Sequence, residues 1–218
     1  MRHGIGYGAL LIGGSAVLLI MGMTHPSSIP FDDSAALGRM ALVDALAHSL
    51  AILGTWLLLV GLVGLSRMLG LKRVTVVAAL AAFALATFAV MIAAAFDGLV
   101  LPKLAQQWMG SDTIGRGELK QLIRFCVLIA SSLTRIYLLL GAIAIALWSW
   151  VIHRDRLSRG MPWVGAVVAA AGIAALFGGP AYVSTHEVLA LMVGQSVWMV
   201  LAGLLTIRWG AADGAKVN

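Results

Sequence analysis

Residues Val74–Phe96 read VTVVAALAAFALATFAVMIAAAF, an apolar run without one Asp, Glu, Lys or Arg. Crossing the hydrocarbon of a bilayer takes about 20 apolar residues of helix, and helices of soluble cores rarely keep such runs free of charge. The pattern recurs along the chain. Gly4–Phe31, Ala45–Ser66, Gly160–His186 and Val188–Ile207 also carry no charged residue, and Phe125–Ile152 is interrupted only by Arg135. The fold class expected is therefore all-α, a polytopic membrane protein built as one bundle of six transmembrane helices. The spans read approximately 4–23, 43–66, 74–101, 120–151, 161–180 and 187–207.

Composition agrees. Of 218 residues, 61% are hydrophobic and 11% charged, leaving one membrane domain and no soluble one. The longest polar stretch, Lys103–Leu122, reads as a loop. A net charge of +6 would suggest nucleic acid in a soluble protein. Here the basic residues stand at span ends, where they orient helices and meet anionic lipid head groups, so the expected partner is the lipid bilayer and not nucleic acid. A homo-oligomer or a partner membrane subunit is compatible with this composition. The lone Cys126 forms no internal disulfide. The first block is too long for a signal-peptide core and ends in Met21-Gly22-Met23-Thr24 without an Ala-x-Ala-like cleavage site, so it reads as a retained helix.

Charge gives the orientation. Arg2, Arg67, Lys72, Arg73, Arg154, Arg156, Arg159, Arg208 and Lys216 fall on one side of the six spans, nine of the fifteen basic residues. Basic loops favour the cytoplasm, which predicts a multi-pass protein of a bacterial-type inner membrane with both termini cytoplasmic. Seven of the nine acidic residues fall on the other side: Asp32, Asp33, Asp44, Asp97, Asp112, Glu118 and Glu187. Small residues predict close helix contact at Gly61 with Gly64, at Gly165 with Gly172, and along Ala78, Ala82 and Ala86. Trp108, Trp148, Trp150, Trp163 and Trp209 read as interfacial anchors.

The candidate site lies at the outer end of the spans. His25, His48 and His186 close or open spans one, two and six there. Asp44 precedes His48 by four residues, which puts both on one helix face about 6 Å apart along the axis. Asp97 nears the outer end of span three. Arg135 is calculated to sit at about the depth of His48, within reach of Asp97 or Asp44. An arginine inside a membrane faces the bundle and finds a carboxylate or a wet cavity, and intramembrane ionisable residues mark functional sites by default. The bland alternative is that Asp44 or Asp97 only neutralises Arg135 and fixes helix register.

Three chemistries suit such a pocket. His48, His186 and His25 could ligate a transition metal, with Asp44 orienting His48, or a histidine pair could hold one b-type haem, for redox or hydrolytic work. Met21, Met23 and His25 with Cys126 would suit Cu(I), provided the first helix frays. In a small proton-coupled transporter, His48 would be the proton-carrying gate. Pro26, Pro30, Pro102 and Pro180 lie at outer span ends and none breaks a span at mid-membrane, the usual mark of a carrier. A structural or assembly subunit without an active site is the remaining class.

Overall fold

The computed structural model describes residues 3–24, 34–178 and 185–215, with side chains over 4–24, 36, 38–174 and 189–211. Every described element is helical. α1 is His3–Thr24, α2 Ser34–Leu69, and α3 Val74–Ala95. A π-helical turn, Phe96–Val100, carries α3 straight into α4, Leu101–Gly110. α5 (Thr113–Arg154), α6 (Met161–Gly178) and α7 (Thr185–Ala215) complete the chain. Five helical stretches are long and apolar enough to cross a membrane. α6, with 18 residues, is the sixth apolar helix of the bundle. The protein is an all-α, multi-pass membrane bundle.

The six apolar helices close into a ring, each packed on its neighbours in the order α1, α2, α3, α5, α6, α7 and back to α1. Packing inside lipid depends on close backbone approach, and glycine supplies it. A Cβ at Gly64 would stand 2.0 Å from the Tyr7 ring, and one at Gly61 would stand 2.6 Å from Leu11. A Cβ at Gly165 would meet Ser149 Oγ, and one at Gly172 would lie 3.0 Å from Ala142. These are the contacts expected of those glycines. The alanine stripe is different: Ala86 is buried and Ala78 is exposed. α3 turns Val76, Ala79, Phe83 and Ala86 inward, the helical spacing of its larger side chains.

The helix ends correct the loop assignments. α2 ends at Gly70, whose φ of +98° is the left-handed conformation glycine adopts freely. Arg73 then reaches Asp155, tying the α2–α3 turn to the end of α5. At the opposite end, Lys103–Leu122 is not a loop. It is α4, the two-residue turn Ser111-Asp112, and the first turns of α5, where the Asp112 carboxylate accepts from Gly115 N at 2.8 Å. Hydropathy marks where a helix leaves lipid, not where it stops, so polar helical turns were read as loop.

α2, the α3–α4 pair and α5 are consequently much longer than their neighbours. The 22 residues of α1 span about 33 Å and the 42 of α5 about 63 Å. With Tyr7 against Gly64 and Gly14 against Gly54, α1 runs antiparallel to α2 and finishes near the level of His48. Three helices continue beyond that level, and the candidate site sits where the ring gives way to them.

Candidate functional site

Asp44 and His48 share one face of α2, and each is only 5% exposed. Burying such groups is costly unless they are paired. His48 Nδ1 lies 2.9 Å from the Asp44 backbone carbonyl and 3.2 Å from its Oδ1. A carbonyl oxygen only accepts, so Nδ1 carries a hydrogen and donates it. The other ring nitrogen, Nε2, faces Asp97 Oδ2 at 3.3 Å. Two lone pairs would repel at this distance, so a proton lies between them, on one partner or the other. The imidazole thus bridges carboxylates from two helices.

The π turn brings Asp97 there. Pro102 lacks the N–H that would close on the Gly98 carbonyl, and its ring crowds that carbonyl. Phe96–Val100 widens into one π-helical turn at this place, a distortion that recurs at functional sites. Gly98 belongs to the same turn. A Cβ there would stand 2.3 Å from His48 Cβ and 2.5 Å from Nδ1, so bare backbone is the wall on which the imidazole rests.

Beside the imidazole opens a cavity of about 330 Å³, walled by α1, α2, α3, α5 and α7 together with the π turn. His48 and Asp97 form its polar edge, and Leu18, Met21, Val90 and Met192 make much of the rest apolar. Tyr137, also on the lining, donates its hydroxyl to Gln195 Oε1 at 2.9 Å. One turn further along α7 stands Trp198, stacked on Trp148 with ring centroids 6.0 Å apart, and Phe83 lies 6.1 Å from Trp148. All three are fully buried. Trp148 Nε1 donates to Ser66 Oγ at 3.1 Å and Trp198 Nε1 to Ser149 Oγ at 3.0 Å. These aromatics belong to the packed core on the Gly70 side of the cavity and are not on its lining.

The structure therefore joins Asp44, His48 and Asp97. The sequence reading offers Asp97 or Asp44 to Arg135; Asp97 Oδ2 also lies against His48 Nε2. Arg135 is half-buried on α5, next to the cavity-lining Thr134. His25 lies outside the described residues, and so does the side chain of His186. Helix α1 touches both α2 and α7, the neighbour relation that a three-histidine site needs. Among the described residues no three His, Cys, Asp or Glu side chains stand together as a metal site. The Cu(I) arrangement loses its geometry, because α1 stays helical to Thr24. Met21 lines the cavity while Met23 is 75% exposed.

Trp148 is a correction. Read as an interfacial anchor, it is a core residue with its N–H satisfied by Ser66, whereas Trp150 and Trp163 are exposed on the outer surface of the bundle. Tyr137, Gln195 and Gly98 were missed. Asp97-Gly98 with Pro102 behind it was the available signal, since that proline had to disturb the helix at Gly98.

Set against family models, curated proteins and solved structures, the chain matches none.

Proposed function

We propose that this chain is a small proton-coupled carrier whose binding cavity opens toward one side of the membrane. The observation that supports it best is His48 held between Asp44 and Asp97 on the cavity wall. A histidine so placed takes up and releases a proton at Nε2, exchanging it with Asp97 while Nδ1 stays bonded to the Asp44 carbonyl. Two features agree with a carrier. The helix bearing Asp97 widens into a π turn at the site, a distortion that recurs at functional sites. Toward the Gly70 end the bundle is filled by buried core side chains, Phe83, Trp148 and Trp198 among them.

The test is uptake into vesicles reconstituted with the purified protein and given a pH gradient. The compounds offered are one apolar cation, one apolar anion and one neutral amphiphile. Wild type is expected to accumulate one class when the gradient is present, and Asp97→Asn to lose about 100-fold of that rate, since His48 would lose the carboxylate it exchanges with. No gradient-dependent uptake of any class would overturn the carrier.

Orientation and location belong to the same proposal. The arginines and lysines around Gly70 and Asp155 support a reading in which that end, and both termini, face the cytoplasm of a bacterial-type cell. A reporter active only outside the cytoplasm should be silent when fused after Asn218 and active when inserted at Ser111. The opposite pattern would turn the cavity toward the cytoplasm.

A further inference from the structure

We infer that the cavity takes amphiphilic organic cations, which enter in exchange for the proton between His48 Nε2 and Asp97 Oδ2. This rests on the carrier reading only for transport; binding is a separate property of the site.

Three observations carry the inference. First, the cavity lining is mixed. It carries the carboxylate–imidazole pair and the hydroxyl residues Thr55, Ser131 and Thr134, while Leu18, Met21, Val90 and Met192 present hydrocarbon and thioether. A ligand that fills it needs an apolar body with a polar head beside the pair. Second, Asp97 is the accessible member of the pair. Its side chain is 37% exposed against 6% for Asp44 and for His48, so a ligand head reaches Asp97 first. Third, the proton chemistry fixes the sign of that head. Nδ1 keeps its hydrogen on the Asp44 carbonyl. Removing the other proton leaves an Nε2 lone pair facing an ionised carboxylate, an arrangement that added positive charge relieves and added negative charge worsens. An entering cation supplies such charge. The balance is one positive charge bound and one proton released to water, with no covalent bond made or broken. An anionic head would instead face Asp97 directly.

The surrounding groups agree with this sign. Asp44 from α2 adds a second carboxylate behind the ring, and Tyr137 from α5 offers an aromatic face and a hydroxyl already bonded to Gln195. Arg135, also on α5, is not on the cavity lining. From α1 and α7, His25, His186 and Glu187 lie outside the described side chains. The apolar walls come from α1, α3, α5 and α7, and they suit a planar or branched hydrocarbon body rather than a bare ammonium ion.

The probes are ethidium, a flat apolar monocation, and 8-anilinonaphthalene-1-sulfonate, an anion of similar size. Both are titrated by fluorescence onto the whole detergent-solubilised chain, with a pH dye in weakly buffered solution. Ethidium should bind saturably and release about one proton per cation. Asp97→Asn should weaken it at least 10-fold and abolish the release, whereas Gln106→Ala, on the exposed face of α4, should leave both unchanged. Wild type alone supplies a second reading: ethidium affinity should rise as pH rises, because proton and cation compete. An affinity flat with pH, an Asp97→Asn chain that binds as wild type does, or saturable sulfonate binding in place of ethidium would each overturn the inference. Cation binding with proton release but no vesicle uptake of any class would remove the carrier and keep this site. Uptake of the anion without ethidium binding would do the reverse.

Discussion

Gly98→Ala should disable the site as thoroughly as removing Asp97, although it adds one methyl group and touches no charge. The new Cβ would lie 2.3–2.5 Å from three atoms of His48, far inside contact distance. The closest contact is with His48 Cβ, which cannot move without α2, and the ring is anchored by its Nδ1 on the Asp44 carbonyl. The ring must swing away from Asp97 or the π turn must shift. Misplacing a working group by about 1 Å can cost about 100-fold in rate, and that is the loss expected in gradient-driven uptake. Stability gives a readout independent of transport. Inside a helix, Gly→Ala ordinarily stabilises by up to about 1 kcal/mol. Here overpacking should reverse the sign and destabilise by about 1–3 kcal/mol. Pairing the change with His48→Gly removes all three contacted atoms, His48 Cβ among them, so the double variant should recover part of that loss, a coupling that a mutant cycle measures directly. Gly110→Ala is the control, since nothing lies within 4 Å of a Cβ there. If Gly98→Ala and Gly110→Ala behaved alike in both assays, the contact between Gly98 and His48 would be wrong.

The membrane bundle was legible because its cause is compositional. Lipid offers backbone groups no partner, so each crossing must be an apolar helix, and runs such as Val74–Phe96 announce themselves. The α2 part of the site was legible for a similar reason: a four-residue spacing puts Asp44 and His48 on one face whatever the rest of the fold does. Asp97 needed more. Its approach to His48 depends on a π turn, and π spacing leaves no periodic trace in a stretch where nearly every residue is apolar. The same uniformity hid the core face of α3. Alanines stand at most positions, so the stripe Ala78–Ala82–Ala86 looked as good as the true one through Val76, Ala79 and Phe83. Tyr137 and Gln195 were invisible for a different reason. Their partnership joins α5 to α7, 58 residues apart, and only the closed ring brings them together. Tryptophans near span ends were assigned to the interface by depth alone, which says nothing about the side of the helix they occupy.

That last point yields the other large effect, on stability. Trp148 and Trp150 are two residues apart on α5, and depth alone would give them the same role. The structure separates them: Trp148 is fully buried and Trp150 is 62% exposed. Two positions along an α-helix turn the side chain by about 200°, so the neighbours face opposite ways. Trp148 fills the middle of the ring, stacked against Trp198, tilted against Phe83 and hydrogen-bonded to Ser66. In a packed core, Trp→Ala costs about 3–5 kcal/mol. In a membrane the separated helices are solvated by lipid, so the part due to water transfer falls away while lost contacts and the cavity remain. The expected cost for Trp148→Ala is then about 2–3 kcal/mol, with the Ser66 hydroxyl also losing its donor. Trp150→Ala exchanges one lipid-facing surface for another and should stay within about 0.5 kcal/mol of wild type. Unfolding by sodium dodecyl sulfate, followed by the loss of helix contacts, measures both. Trp148→Phe should fall between them, keeping part of the stack and losing the bond to Ser66. Equal destabilisation by the two alanine variants would return Trp148 to the interface.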